Sequence, residues 1–232
     1  AFFFSANWHF AAAGTDYFQA ADPPSPLQHF WSLSVEEQFY FVWPWLMVGV
    51  LALAALRRRF SQRRTVTGIV MVVIIAASFG WAMVDSVSDP TVAYFSTFTR
   101  AWELGVGALL AIATPWWGRV PDALRPILGW LGLLGIVTSY FVINETLPFP
   151  APWAALPVIA TGLVIVGGTG GVQRFLWPLT NRVSVYIGTI SYSLYLWHFP
   201  VIIIGAVVIG SNPWVYFPVT IVLIAAFSVA SY

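Results

Sequence analysis

Among 232 residues there is no cysteine and no lysine. The first absence excludes a disulfide framework, a thiolate nucleophile and any Cys-ligated metal. Charge is scarce as well: Asp, Glu and Arg together make up 8% of the chain, against about 25% in an ordinary soluble domain, while 59% is hydrophobic. That balance belongs to an integral membrane protein whose first partner is the lipid bilayer. Only three histidines occur, His9, His29 and His198, and their spacing forms neither H-x-x-x-H nor H-E-x-x-H, so no metal site is expected. A glycine-rich dinucleotide loop, a P-loop and a G-x-S-x-G elbow are all missing, which removes phosphate cradling and elbow-serine chemistry. The formal net charge is +1, and the arginines follow loops instead of lining a groove, so no nucleic-acid partner is expected. The chain opens without Met on an apolar run and stops within another, so an internal piece of a longer protein is expected, one integral membrane domain over 1–232 truncated at both ends.

What is present is a series of apolar windows long enough to cross about 30 Å of hydrocarbon at about 1.5 Å per residue. Seven are read, over 35–56, 66–84, 94–114, 127–143, 153–169, 184–210 and 214–232. They are continuously apolar, without the two-residue alternation of a barrel strand, so the expected fold is all-α, a polytopic transmembrane helix bundle of about seven spans. With that count, Arg57, Arg58, Arg59, Arg63, Arg64, Arg119, Arg125, Arg174 and Arg182 share one side and Arg100 alone falls on the other. The positive-inside rule then sets the first side in the cytoplasm. Asp16, Asp22, Glu36, Glu37, Asp85, Asp89 and Glu145 lie in or near outer segments. The Arg57 to Arg64 run reads as an inner-leaflet anchor. Gly105, Gly107, Gly129, Gly132, Gly135 and the glycines of 167–171 offer small positions for close helix contact or a flexible loop.

Acidic groups at the mouth of a span are costly unless they meet a partner, water or a substrate. Ser34 and Glu37 have the spacing of a capping box, which gives Glu37 a structural reason to exist. Glu36 sits about 100° round the helix and cannot share that work, so it is the carboxylate read as functional. Arg100 and Glu103, three apart inside an apolar window, form either a self-contained ion pair or a site in which Arg100 meets Glu36 or negative charge developing on a substrate and Glu103 orients it. Ser191, Tyr195 and His198 fall on one stripe of a helix with Tyr192 at its border. His198 is either a packed, hydrogen-bonded core group or a catalytic one. Pro200 removes an amide donor and frees a carbonyl near the same level.

Four blocks, Asn7-Trp8 followed by Tyr17-Phe18, PLQHFWSLSVEEQFY over 26–40, RAWELGVGALL over 100–110 and ISYSLYLWHFP over 190–200, come in the order found in the acyltransferase-3 family of bacterial membrane O-acyltransferases, which the chain closely resembles over nearly its whole length. The resemblance implies an enzyme of the bacterial cytoplasmic membrane that moves an acyl group, commonly acetyl, from a cytoplasmic acyl-CoA-type donor to a hydroxyl of a cell-envelope carbohydrate. Acetyl-CoA is then a co-substrate, with no bound cofactor. It also implies catalytic roles for Glu36, Arg100, Glu103 and His198, with Asn7, His29, Trp31, Ser32, Glu37, Ser191, Tyr192 and Tyr195 around the substrates. Family members carry further spans with a general-base His and an arginine pair before the point where this sequence begins, so the piece alone is expected to be inactive. The competing reading from the residues is a transporter or permease with an intramembrane polar pathway.

Overall fold

A computed structural model of the chain describes residues 3–14, 25–56, 62–169, 174–210 and 212–232. Of the positions read above, Asp16, Tyr17, Phe18, Asp22, Arg57, Arg58, Arg59, Gly170 and Gly171 lie outside these residues. Every regular element among the described residues is helical, so the all-α membrane bundle expected from continuous apolarity is the fold. In order they are α1 (Ala6–Ala12), α2 (Phe30–Leu56), α3 (Arg63–Ser88), α4 (Pro90–Phe95), α5 (Thr97–Ile112), α6 (Thr114–Trp117), α7 (Arg125–Val142), α8 (Ala155–Gly168), α9 (Trp177–Thr180), α10 (Arg182–Thr189), α11 (Ser191–Ile209) and α12 (Pro213–Ala230).

Five of these, α2, α3, α7, α11 and α12, are long and apolar enough to cross a bilayer by length and composition. The other two windows resolve into shorter pieces. α5 has 16 residues and α8 has 14, about 24 and 21 Å of rise. The window read over 94–114 breaks at Ser96, whose backbone turns extended (φ −68°, ψ 132°) while its hydroxyl accepts from the Phe98 amide and caps α5. Asp89 caps the preceding short helix in the same way, accepting from the Val92 amide with Pro90 at the first helical position. Local capping chemistry, invisible to a hydropathy window, therefore divides that span. The window over 184–210 divides likewise, at Ile190, with Asn181 capping α10.

Contacts group the helices into two compact units. The first takes in α1 to α8 (Ala1–Phe18 and Trp31–Phe175), the second Gln19–Phe30 with Leu176–Tyr232. Within the first, α3 packs on α5 and α7 on α8. The small residues explain how closely: a Cβ on Gly105 would stand 2.9 Å from Ile75 Cγ1, and one on Gly132 only 2.5 Å from the Ala160 carbonyl oxygen. Ser78 ties α3 to α5 by donating to the Phe98 carbonyl at 2.5 Å and accepting from the Trp102 amide at 3.0 Å. A core of Ala82, Trp102, Ala151 and Ala154 forms beside this contact. Arg125 is buried, pairs with Asp122 at 3.1 Å and donates to the Thr169 carbonyl, so it fastens the start of α7 to the end of α8. In the second unit α11 packs on α12, where Gly205 lets Thr220 approach and Trp197 Nε1 donates to Ser231 Oγ at 3.1 Å.

Candidate active site

The capping box read at Ser34 and Glu37 does not form. α2 starts four residues earlier, at Phe30, so both residues lie inside the helix. The Ser34 hydroxyl instead accepts from the Ala6 amide at 3.3 Å and holds α1 against α2. The physical reason is that HFW before Ser34 is itself helix-compatible and aromatic, and these rings pack, Trp31 against Tyr94 and Phe95.

Three polar side chains from separate elements of the first unit interlock just above Glu37. Asn7, fully buried, donates from Nδ2 to the Phe95 carbonyl at 3.1 Å and to Thr97 Oγ1 at 3.0 Å. Gln38 donates from Nε2 to Asn7 Oδ1 at 2.9 Å and to the Phe4 carbonyl at 2.6 Å, while its Oε1 accepts from Thr97 at 2.5 Å and from Trp8 at 3.3 Å. Each amide is thus fully used, the condition under which a buried polar network adds rigidity instead of penalty. Asn7 was expected from the sequence; Gln38 and Thr97 were not. The signal for Gln38 is a polar amide one residue past Glu37, where the apolar run begins. Below the network opens an apolar cleft of about 710 Å³ lined by Glu37, Gln38, Phe39, Trp43, Met71 and Phe98 among others. Glu36, one helical step away, is exposed and makes no hydrogen bond or ion pair with a described residue, and Ser32 is half-buried on the first turn of α2.

Arg100, like Arg125, is a buried cation of the first unit. Only 9% of its side chain is exposed. Nη1 pairs with Glu103 Oε1 at 2.8 Å and Nε donates to the Tyr94 carbonyl at 3.1 Å. Three aromatic rings surround the guanidinium carbon, Phe149 at 4.7 Å, Tyr94 at 5.0 Å and Trp31 at 5.3 Å from their centres. Ring faces carry negative quadrupole and favour a cation there, so the charge is held in place by geometry as well as by Glu103. Arg100 and Glu103 line one end of a second cavity, of about 310 Å³, that runs between α5 and α8. The ion pair read from the three-residue spacing is therefore real and also borders open space. It does not engage Glu36, because the carboxylate next to Arg100 is supplied by its own helix.

In the second unit, His29, Tyr195 and His198 come together. The ring centres of His29 lie 5.2 Å from Tyr195 and 5.4 Å from His198, and the Tyr195 hydroxyl donates to the His29 carbonyl. His198 Nδ1 faces the carbonyls of Tyr195 at 2.7 Å and Leu194 at 3.2 Å. A nitrogen facing two acceptors carries the proton, which leaves Nε2 of the neutral ring as a lone-pair acceptor. His29 is buried. Desolvation, then the adjacent His198, pushes its pKa down to about 4, against the opposing pull of the Leu196 and Pro26 carbonyls. The Leu196 carbonyl is the one that Pro200, four residues on, cannot satisfy. Ser191 and Tyr192 are exposed on the first turn of α11, and no side-chain hydrogen bond joins them to this cluster; Ser193 is the buried serine of that turn. Among the described residues no group of three or more metal-ligating side chains occurs.

Comparison with known proteins places this chain in a family. OatA of Listeria monocytogenes, a peptidoglycan O-acetyltransferase, is 28% identical over 208 residues, covering 87% of this chain and 33% of its own length. The Staphylococcus aureus O-acetyltransferase OatA is 29% identical over 241 residues, covering all of this chain and 39% of its own. YrhL of Bacillus subtilis is 31% identical over 212 residues, 88% of this chain and 32% of that protein. The chain thus spans about a third of the length of the curated relatives it matches. No solved structure matches it. The family model described as an acyltransferase domain matches residues 1–232 from end to end, and the chain belongs to that acyltransferase-3 family.

Proposed function

We propose that this chain is the membrane part of an O-acyltransferase that moves an acyl group, acetyl in the first instance, from an acyl-CoA-type thioester to a hydroxyl of a cell-envelope carbohydrate, peptidoglycan being the acceptor class that the relatives' names favour. The observation that carries the reading is the Arg100–Glu103 pair, desolvated, caged by three rings and bordering a cavity. A fixed cation in a low-dielectric site is what an acyl transfer needs where charge develops on the carbonyl oxygen. In the reaction the acceptor oxygen forms a bond to the carbonyl carbon, the C–S bond breaks, and the hydroxyl proton ends on the departing thiolate. Arg100 meets the oxyanion and Glu103 fixes its guanidinium. Glu36 and Glu37 supply carboxylates for the acceptor.

The test is acyl transfer in membranes carrying the full protein. Arg100→Lys keeps the charge but cannot reproduce both the Glu103 and the Tyr94 contacts. It is expected to lower turnover at least about 100-fold with insertion and melting temperature retained. Native turnover in the Lys variant removes Arg100 from the reaction. Transport of an acceptor without thioester cleavage identifies a permease instead.

A further inference from the structure

The cavity that begins at Arg100 and Glu103 is much larger than an acetyl group requires. Its volume of about 310 Å³ lies at the lower end of the range for small-molecule sites, about 300–1,000 Å³. Beyond the two charged residues its walls are Val106, Leu110, Phe149, Val158 and Ile165, with Thr161 the one hydroxyl. Gly107, an exposed residue of its wall, leaves space beside it: a Cβ there would meet nothing within 4 Å. Such a channel, polar at one end and apolar along its length, has the chemistry of a carbonyl joined to a hydrocarbon chain. At the polar end, Arg100 has two of its three nitrogens engaged, while Nη2 makes no hydrogen bond to a described residue. Glu103 already neutralises the guanidinium, so a neutral carbonyl oxygen suits the remaining donor better than a phosphate.

We infer that the α5/α8 channel is the acyl-chain pocket of the donor, holding an unbranched chain of about four to eight carbons with its thioester carbonyl at Arg100, and that Gly107 sets how long a chain fits. The inference rests on the transferase reading and deepens it: the transferable group is not limited to acetyl. Gly107 acts as a specificity residue by leaving the channel unfilled, as a small residue does in any pocket that sorts ligands by methylene count.

The experiment uses the full protein in proteoliposomes with acetyl-, butyryl-, hexanoyl- and octanoyl-CoA. Native protein is expected to transfer hexanoyl groups, and Gly107→Leu to lower the ratio of hexanoyl to acetyl kcat/KM at least about tenfold. Gly80→Leu, on an exposed face of α3, is expected to leave that ratio as in the native protein, and thermal melting of each variant reports folding. Binding of the unreactive thioether S-hexyl-CoA is measured alongside, because it reads occupancy without turnover. Acetyl transfer with no hexanoyl transfer and no S-hexyl-CoA binding overturns the channel while leaving the transferase reading intact. A Gly107→Leu protein that melts normally and keeps the native ratio also overturns it. If no thioester is turned over, yet S-hexyl-CoA binds and Gly107→Leu weakens it at least tenfold, the channel stands and the transferase reading fails.

Discussion

Gln38 and Asn7 face each other across 2.9 Å, Nε2 to Oδ1, and between them they engage the Phe4 and Phe95 carbonyls, Trp8 and Thr97. The orientation of each amide is dictated by the other, since Asn7 Nδ2 is committed to the Phe95 carbonyl and Thr97. Gln38→Glu is therefore expected to destabilise the protein more than its small change in shape suggests. A carboxylate cannot donate to Asn7 Oδ1 or to the Phe4 carbonyl, and two acceptors are left facing an acceptor. The cost is about 1–3 kcal/mol per group left unsatisfied, read as a lower thermal midpoint in detergent. Asn7→Asp should behave the same way, for the same reason at the Phe95 carbonyl. A Gln38→Glu protein that melts with the native one would show that the amides do not hold these helices.

Arg100 and Glu103 should prove unequal when removed singly. Arg100→Met leaves the Glu103 carboxylate, itself only 24% exposed, without its cation, and loses the three ring contacts as well. A broken buried pair costs about 3–5 kcal/mol, scaled down here by Glu103's partial access to solvent. The double variant Arg100→Met/Glu103→Leu is expected to recover much of the melting temperature while remaining inactive in acyl transfer. Stability and turnover measured on the same three proteins separate the structural role of the pair from its chemical one.

Much of this was readable in advance, and the reason differs by residue. Arg100 and Glu103 stood out because three-residue spacing of opposite charges in an apolar run has few interpretations, and the helix supplies the geometry directly. Tyr195 and His198 stood out for a related reason, polar side chains three apart on one stripe of an apolar helix. The aromatic cage was not, since Phe149 reaches Arg100 from a loop 49 positions on, a distance no local pattern encodes. Ser34 with Glu37 was misread because a capping box also matches the interior of a helix that begins earlier; only the packing of Trp31 decides which applies. Ser96 divides its window through a single cap that hydropathy averaging cannot register.

His29 gives the protein a pH limit on the acid side. Its folded-state pKa of about 4 lies below the ordinary imidazole value of 6.5, so the unfolded chain binds a proton that the folded protein refuses. The stabilisation from keeping His29 neutral is fully present above about pH 6.5 and is lost progressively as pH falls to about 4. Melting temperature should decline over that interval. His29→Gln, which cannot ionise, should flatten the decline while lowering the neutral-pH midpoint through lost ring packing on Tyr195 and Phe199. Parallel pH profiles for the two proteins would assign the acid sensitivity to other groups.

The α7/α8 contact offers the sharpest packing test, because two glycines on the same pair of helices in the first unit make opposite demands. At Gly132 a Cβ would lie 2.5 Å from the Ala160 carbonyl and 2.8 Å from the Val164 amide nitrogen, backbone atoms that cannot rotate away. Gly132→Ala must push α7 and α8 apart, an overpacking cost of about 1–3 kcal/mol that outweighs the roughly 1 kcal/mol of helix propensity gained by replacing glycine. At Gly168, also helical, nothing lies within 4 Å of the added carbon, so Gly168→Ala should be neutral or stabilising. Thermal midpoints of the two single variants are expected to move apart, Gly132→Ala downward and Gly168→Ala level or upward. Equal shifts would mean that α7 and α8 are not in backbone contact at Ala160.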